Sequence, residues 1–287
     1  AGEHPAVKEA CLAAEAMGFE AHSVPYDHTG AVDLDALEKL MTPDTRLICC
    51  MQVNNETGAI QPLSEIAALR ACRAPEAHFH VDGVQGFLRV PFDMPGVQAD
   101  SYALSGHKIH GPKGIGALIL APGVRVHPRA LGGGQESGLR SGTENTPGIA
   151  GLLAAVEAYP LENGMRQVKL HLWQRLREAI PDAAVNGPAP DSDLAAPHIL
   201  NVSLPPVRSE TMLHALEGAG IYVGMGSACS SHKQKVSAVL RAMNTPQRLA
   251  ESALRFSLCP ENTLAEMEQV AAACGQNYVV LSKFQRR

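Results

Sequence analysis

Residues 45–85, TRLICCMQVNNETGAIQPLSEIAALRACRAPEAHFHVDGVQ, decide the fold. Thr45 to Val53 is an apolar run of strand length, Leu63 to Cys72 repeats its apolar residues at helical spacing, and His78 to Val81 reads as a second strand. A strand, a helix and a strand in that order make a crossover connection, which lays the two strands parallel in a sheet covered by helices. Working outward, Pro5 opens a helix carrying Ala6, Ala10, Ala13 and Met17 on one face, and Gly18 stops it. Glu20 to Val24 reads as a strand and Asp33 to Met41 as a helix. Downstream, Asp100 to Leu104 and Gly114 to Leu120 read as further strands. A long helical pattern from Thr146 to Ala179 is broken near Pro160. Beyond it, shorter strands at Ile199 to Leu204, Tyr222 to Val223 and Leu254 to Leu258 alternate with helices near Glu210 to Glu217 and Leu264 to Cys274. The broken helix is the natural boundary, giving a large domain over 1–160 and a small α/β domain over 161–287.

Composition narrows the function. The 287 residues are 45% apolar, ample for a core, and 24 Lys plus Arg against 29 Asp plus Glu leave a charge of −5. No basic field exists to hold nucleic acid or an anionic membrane surface. No apolar run approaches the ~18 residues of a membrane span, and Ala1 to Ala10 lacks the order of a signal peptide, so the expectation is a cytoplasmic protein. Seven cysteines, at 11, 49, 50, 72, 229, 259 and 274, include no CxxC pair, which argues against both a disulfide framework and a structural zinc site. Six of them lie in apolar stretches and read as small buried thiols. Cys229 does not.

Four polar clusters follow predicted strands, where an open parallel sheet presents its ligands. They are Asn54-Asn55-Glu56-Thr57-Gly58, His80-Val81-Asp82-Gly83-Val84-Gln85, Ser105-Gly106-His107-Lys108, and Gly132-Gly133-Gly134-Gln135-Glu136 running on to Arg140-Ser141-Gly142-Thr143. Asp82 sits between Val81 and Val84, where ionisation is costly without a cationic partner, and a protonated pyridine nitrogen is such a partner. Taken alone, Asp82 could equally be a turn or helix-cap aspartate. Lys108 has Ser105 and His107 before it and Gly111-Pro112-Lys113-Gly114 after it, an amine among hydroxyl, imidazole and cationic groups on a glycine-flanked loop. That setting suits a nucleophilic lysine beside a phosphate better than a surface lysine. The segment Gly224-Met225-Gly226-Ser227-Ala228-Cys229-Ser230-Ser231-His232 is small, polar and glycine-bearing, a loop composition, with Lys233 and Lys235 close enough to favour the thiolate of Cys229.

These motifs, from EHPAV at Glu3 through VNNETG, HVDGVQ, SGHKIHGPKG, GGGQESGLRSGTEN and GSACSSH to RFSL at Arg255, resemble the NifS and IscS-like cysteine desulfurases. That group is a branch of the class V aminotransferases with the fold type I architecture of pyridoxal phosphate enzymes. The resemblance implies that Lys108 bonds the pyridoxal 5'-phosphate covalently, that Asp82 holds its ring nitrogen, and that His4 stacks on the ring and serves catalysis. It implies further that Asn55 and Gln85 meet the phenolic oxygen, and that Ser105, His107 and Thr143 hold the phosphate, Thr143 from the second subunit of a homodimer. Arg255, with Asn55, would take the carboxylate of L-cysteine, and Cys229 would receive its sulfur as a persulfide and hand it to an acceptor protein, an iron-sulfur scaffold or a thiolation carrier. No metal is implied. A selenocysteine lyase would use the same parts. The family's usual N-terminal segment, with a strand and a phosphate-binding glycine/threonine loop, is missing before EHPAV, so the large domain is expected to be incomplete relative to the family. That gap also motivates a non-catalytic scaffold as the contrasting reading.

Overall fold

A computed structural model describes residues 1–226 and 236–284. In chain order the helices are α1 (Pro5–Glu15), α2 (Leu34–Leu40), α3 (Leu63–Arg73), α4 (Met94–Val97), α5 (Thr146–Ala158), α6 (Met165–Ala179), α7 (Ser209–Gly218), α8 (Ala238–Ala242), α9 (Gln247–Ala250) and α10 (Leu264–Leu281). The strands are β1 (Leu47–Met51), β2 (His78–Asp82), β3 (Ser101–Ser105), β4 (Gly116–Leu120), β5 (Ala184–Val185), β6 (Ile199–Ser203) and β7 (Ala253–Ser257). They fall into two compact units: a parallel-sheet unit of residues 42–52 and 63–161, and an antiparallel-sheet unit of residues 1–41, 53–62 and 162–287.

The parallel-sheet unit is built on the order β1-β2-β3-β4. The β1–α3–β2 crossover makes β1 and β2 parallel, with Met51 opposite Asp82, and β3 joins in parallel with Ala103 opposite Asp82. Phe79 and Val81 are fully buried, while His78 and His80 on alternate positions share the Ser101 hydroxyl at 2.7 and 2.8 Å. β4 runs antiparallel to β3. The ten residues between them are too few for a crossover helix, so the chain turns straight back.

In the antiparallel-sheet unit the order is β5-β6-β7. All five residues of β6 are buried, and Leu172 and Leu176 of α6, Leu216 of α7 and Cys274 of α10 pack around the sheet. Thr263 and Glu266 cap α10 reciprocally, satisfying two of its first backbone donors. The broken helix predicted over 146–179 is α5 and α6, with Pro160 between them. Two expected strands are absent. Glu20 to Val24 has no partner strand and runs into a single bridge between Tyr26 and Val32, and Tyr222 to Val223 gives way to a single bridge from Gly224 to Arg255.

Against the expected division into 1–160 and 161–287, the chain passes from the parallel-sheet unit to the antiparallel-sheet unit near residue 161, and residues 1–41 and 53–62 pack with the later part of the chain. No helix among the described residues is long and apolar enough to cross a membrane. Of the six cysteines expected to be buried, Cys50 and Cys274 are, whereas Cys11, Cys49 and Cys259 are half-buried and Cys72 is exposed.

Candidate active site

In the parallel-sheet unit β2 ends at Asp82, and β3 ends at Ser105, followed by a 3₁₀ turn, Gly106–Ile109, that carries His107 and Lys108. Asp82 is buried, and its Oδ1 accepts a hydrogen bond from the Val84 amide at 2.9 Å. Gly83 is required next to it, because a Cβ there would run into the Tyr102 ring. The Tyr102 hydroxyl donates to Gln52 Oε1 at 2.8 Å, and burial together with the Asp82 charge pushes its pKa up, so it stays a neutral donor beside the acid. Arg89 braces the lysine turn. Its Nη2 donates to the Lys108 carbonyl, its Nη1 reaches Gln85 Oε1 at 3.4 Å, and its Nε reaches the Tyr159 hydroxyl at 3.3 Å. His107 is an exposed residue, and partial loss of water around its ring together with the Lys108 and Lys113 charges lowers its pKa. Thr143 lies exposed on the loop after Gly142.

The antiparallel-sheet unit carries a second cluster. Asn54 organises the turn that follows β1: its Oδ1 accepts from the Glu56 amide at 2.9 Å, the Thr57 amide at 3.0 Å and the Thr57 hydroxyl at 3.2 Å. Arg255, on β7, donates from Nη1 to the Asn55 carbonyl at 2.9 Å, while its buried Nε finds no hydrogen-bond partner among the described residues. Burial lowers the Arg255 pKa and the Glu56 charge raises it. A half-buried guanidinium with a buried, unsatisfied N–H is arranged to receive an anion. Behind the turn, Lys169 is fully buried, donates from Nζ to the Ala196 carbonyl at 2.8 Å, and has its pKa pushed down to about 8 by burial. The Ala196 amide in turn donates to the Gly58 carbonyl at 2.8 Å. His4 caps α1, its Nδ1 accepting from the Ala6 amide at 3.2 Å.

Asp82, Gln85, Ser105, His107, Lys108 and Thr143 thus belong to one unit, and His4, Asn55 and Arg255 to the other. Within the first, Arg89 links Gln85 to Lys108; within the second, Arg255 reaches Asn55. Cys229 lies outside the described residues. Arg89 and Lys169 escaped the sequence reading, and Glu56 was named there only as one of a polar cluster. The four-residue step from Gln85 to Arg89 was a signal for the first, whereas nothing in the sequence marks Lys169 as buried.

The class-V aminotransferase family model matches residues 1–270. A cysteine desulfurase of Nostoc sp. is 40% identical over 273 residues, 93% of this chain and 67% of the relative. The cysteine desulfurase of Homo sapiens is 37% identical over 282 residues, 96% of this chain and 60% of the relative. The chain therefore spans about two thirds or somewhat less of these relatives' length. Among solved structures, a NifS-like protein superposes with a TM-score of 0.87 at 35% identity, covering 98% of this chain and 74% of that one. A NifS-like protein from Rickettsia africae gives 0.83 at 28% identity, covering 97% and 74%. On this match in sequence and fold, the chain belongs to the class-V aminotransferase family and, within it, to the cysteine desulfurases.

Proposed function

We propose that the chain removes sulfur from L-cysteine, leaving L-alanine and a persulfide on Cys229, and that it uses pyridoxal 5'-phosphate. The observation that carries the reading is the pairing, across adjacent strand ends of one sheet, of a buried carboxylate at Asp82 with Lys108 on the turn after Ser105. The donor set fits the cofactor: an acid for a ring nitrogen, a hydroxyl and an imidazole at Ser105 and His107 for a phosphate, and an amine for an aldehyde. Asp82 and Lys108 would hold it, with Gln85 and Asn55 at its phenolic oxygen, His4 against the ring and Thr143 adding to the phosphate. When bound, it supplies an electron sink for negative charge developing on the substrate carbon.

Arg255 receives the substrate carboxylate on the edge that its Asn55 contact leaves open. The Lys108 amine takes and returns protons at the substrate carbon, and Arg89, on the Lys108 carbonyl, fixes the backbone from which that amine works. The Cys229 thiolate attacks the substrate sulfur; the carbon–sulfur bond breaks, its electron pair stays with the carbon and is protonated, and the sulfur remains on Cys229. Such a persulfide is then passed to an acceptor protein. The test is Cys229→Ser. It is expected to keep cofactor absorbance and cysteine binding while sulfide and alanine formation fall about a thousandfold, a hydroxyl being a far weaker nucleophile toward sulfur. Normal turnover by that variant would refute the reading.

A further inference from the structure

Glu56 has no part in the steps above, yet its carboxylate is only 4% exposed. A carboxylate is costly to bury unless its partners offset the loss of water. Its own backbone cannot swing: the Asn54 side chain holds its amide at 2.9 Å and Asn201 Nδ2 donates to its carbonyl at 3.0 Å. The Ser237 hydroxyl donates to Glu56 Oε2. On the other side, a Cβ at Gly226 would stand 3.1 Å from that oxygen and 3.5 Å from the Ser237 Cβ, and Gly226 has a φ of +53°, a conformation that glycine tolerates best. Two residues earlier, Gly224 exchanges backbone hydrogen bonds with Arg255 at 3.0 and 2.7 Å. Gly226 is the last described residue before the segment that contains Cys229 and Ser237 the second described residue after it; Ser237 bonds the carboxylate and Gly226 lies beside it. Burial pushes the Glu56 pKa up, while the Ser237 hydroxyl and the Arg255 charge pull it down.

We propose that Glu56 is a positioning residue that clasps Gly226 and Ser237 at the base of the Cys229-bearing segment and fixes that base beside the Arg255 strand. The inference rests on the reading of Cys229 as the sulfur acceptor. Ser237 also caps α8, accepting from the Leu240 amide at 3.2 Å, so the two roles must be separated. Ser237→Asp keeps a good helix cap but sets carboxylate against carboxylate. Ser237→Thr keeps both cap and hydrogen bond. Glu56→Gln combined with Ser237→Asp restores a donor and an acceptor with their positions exchanged.

The first readout is the initial rate of trypsin cleavage after Lys233 and Lys235, followed by mass spectrometry on cofactor-loaded and cofactor-free protein. The second is the split between kcat and KM for L-cysteine. Loss of a charge-assisted hydrogen bond corresponds to about tenfold or more in a local opening equilibrium. Ser237→Asp is therefore expected to speed cleavage at the two lysines about tenfold, with cleavage elsewhere unchanged, and to lower kcat about tenfold with KM within about twofold. Ser237→Thr and the double variant should return near the parent on both readouts. Parent-like cleavage in Ser237→Asp, or a double variant no better than Ser237→Asp, would overturn the clasp. If cleavage follows the expected pattern while kcat is the same in every variant, the clasp stands and the role assigned to Cys229 falls.

Discussion

Arg255 extends from a strand whose neighbours Leu254 and Phe256 are buried, and its guanidinium is tied to the Asn55 carbonyl of a turn that Asn54 holds through three hydrogen bonds. Lys108 instead stands on a four-residue 3₁₀ turn beside an exposed His107, braced mainly through its backbone carbonyl by Arg89. The contrast fits the roles proposed for the two side chains. A planar carboxylate is recognised best by a fork already fixed in orientation, because no ordering cost is left for the binding step. An amine proposed to make and break bonds needs a fixed backbone beneath it. Rigidity is placed at the guanidinium itself in one cluster and at the backbone, a full side-chain length from the amine, in the other.

The largest effect is expected at Lys108. Lys108→Ala should abolish covalent retention of the cofactor, and lower desulfuration by about three orders of magnitude or more, with the fold intact. Borohydride reduction and peptide mapping would place the label on Lys108 in the parent protein; a label on Lys113 would reverse the assignment. A smaller effect is expected at the fixed fork. Arg255→Lys should raise KM for L-cysteine by about ten- to a hundredfold, since an ammonium loses the paired planar contact. Cysteamine, which has no carboxylate, should show no such change, and an equal loss with both compounds would mean that Arg255 only supports structure.

The smallest effect concerns the support behind that fork. The Lys169 pKa lies at about 8, below its ordinary 10.5, so above pH 8 the folded protein has released a proton that the unfolded chain still binds. Stability should therefore rise with pH between about 8 and 10.5, by up to about 1.4 kcal/mol per pH unit from this group, with the full penalty present below that window. Urea midpoints at about pH 7.5 and 9.5 should show a larger gain for the parent than for Lys169→Met. Equal gains would remove Lys169 as the cause.

The alternation of elements was legible because hydrophobic periodicity is a local property: residues 45–85 carry a strand, a helix and a strand, and β1, α3 and β2 occupy those positions. Pairing is not local. Glu20 to Val24 has strand composition but no partner, and the direction of β4 depended on the length of its connection to β3. The candidate site stands out in the sequence where a residue type is unusual in its setting, as with Asp82 at the end of an apolar strand and Lys108 between glycines. Arg89 and Lys169 do not, because a charged residue in sequence looks the same whether water or a carbonyl completes its hydrogen bonds. Cys72 failed for a related reason: an apolar stretch on a helix has an outer face too.

The antiparallel-sheet unit is assembled from three stretches of chain, 1–41, 53–62 and 162–287, with the whole parallel-sheet unit threaded between them. On a ribosome moving at roughly 5–20 residues per second, its first stretch is made roughly ten to fifty seconds before α10, which helps close its core. The parallel-sheet unit meets no such delay, since all its residues precede 162. Of the two units the parallel-sheet unit therefore folds first during synthesis, while the α1 and α2 segments, at 11 and 7 residues too short to hold a helix alone, wait unpacked. Proteolysis of nascent chains stalled near residue 200 should cut before residue 42 while sparing 63–161; protection of both would show that the early stretch docks without its partner.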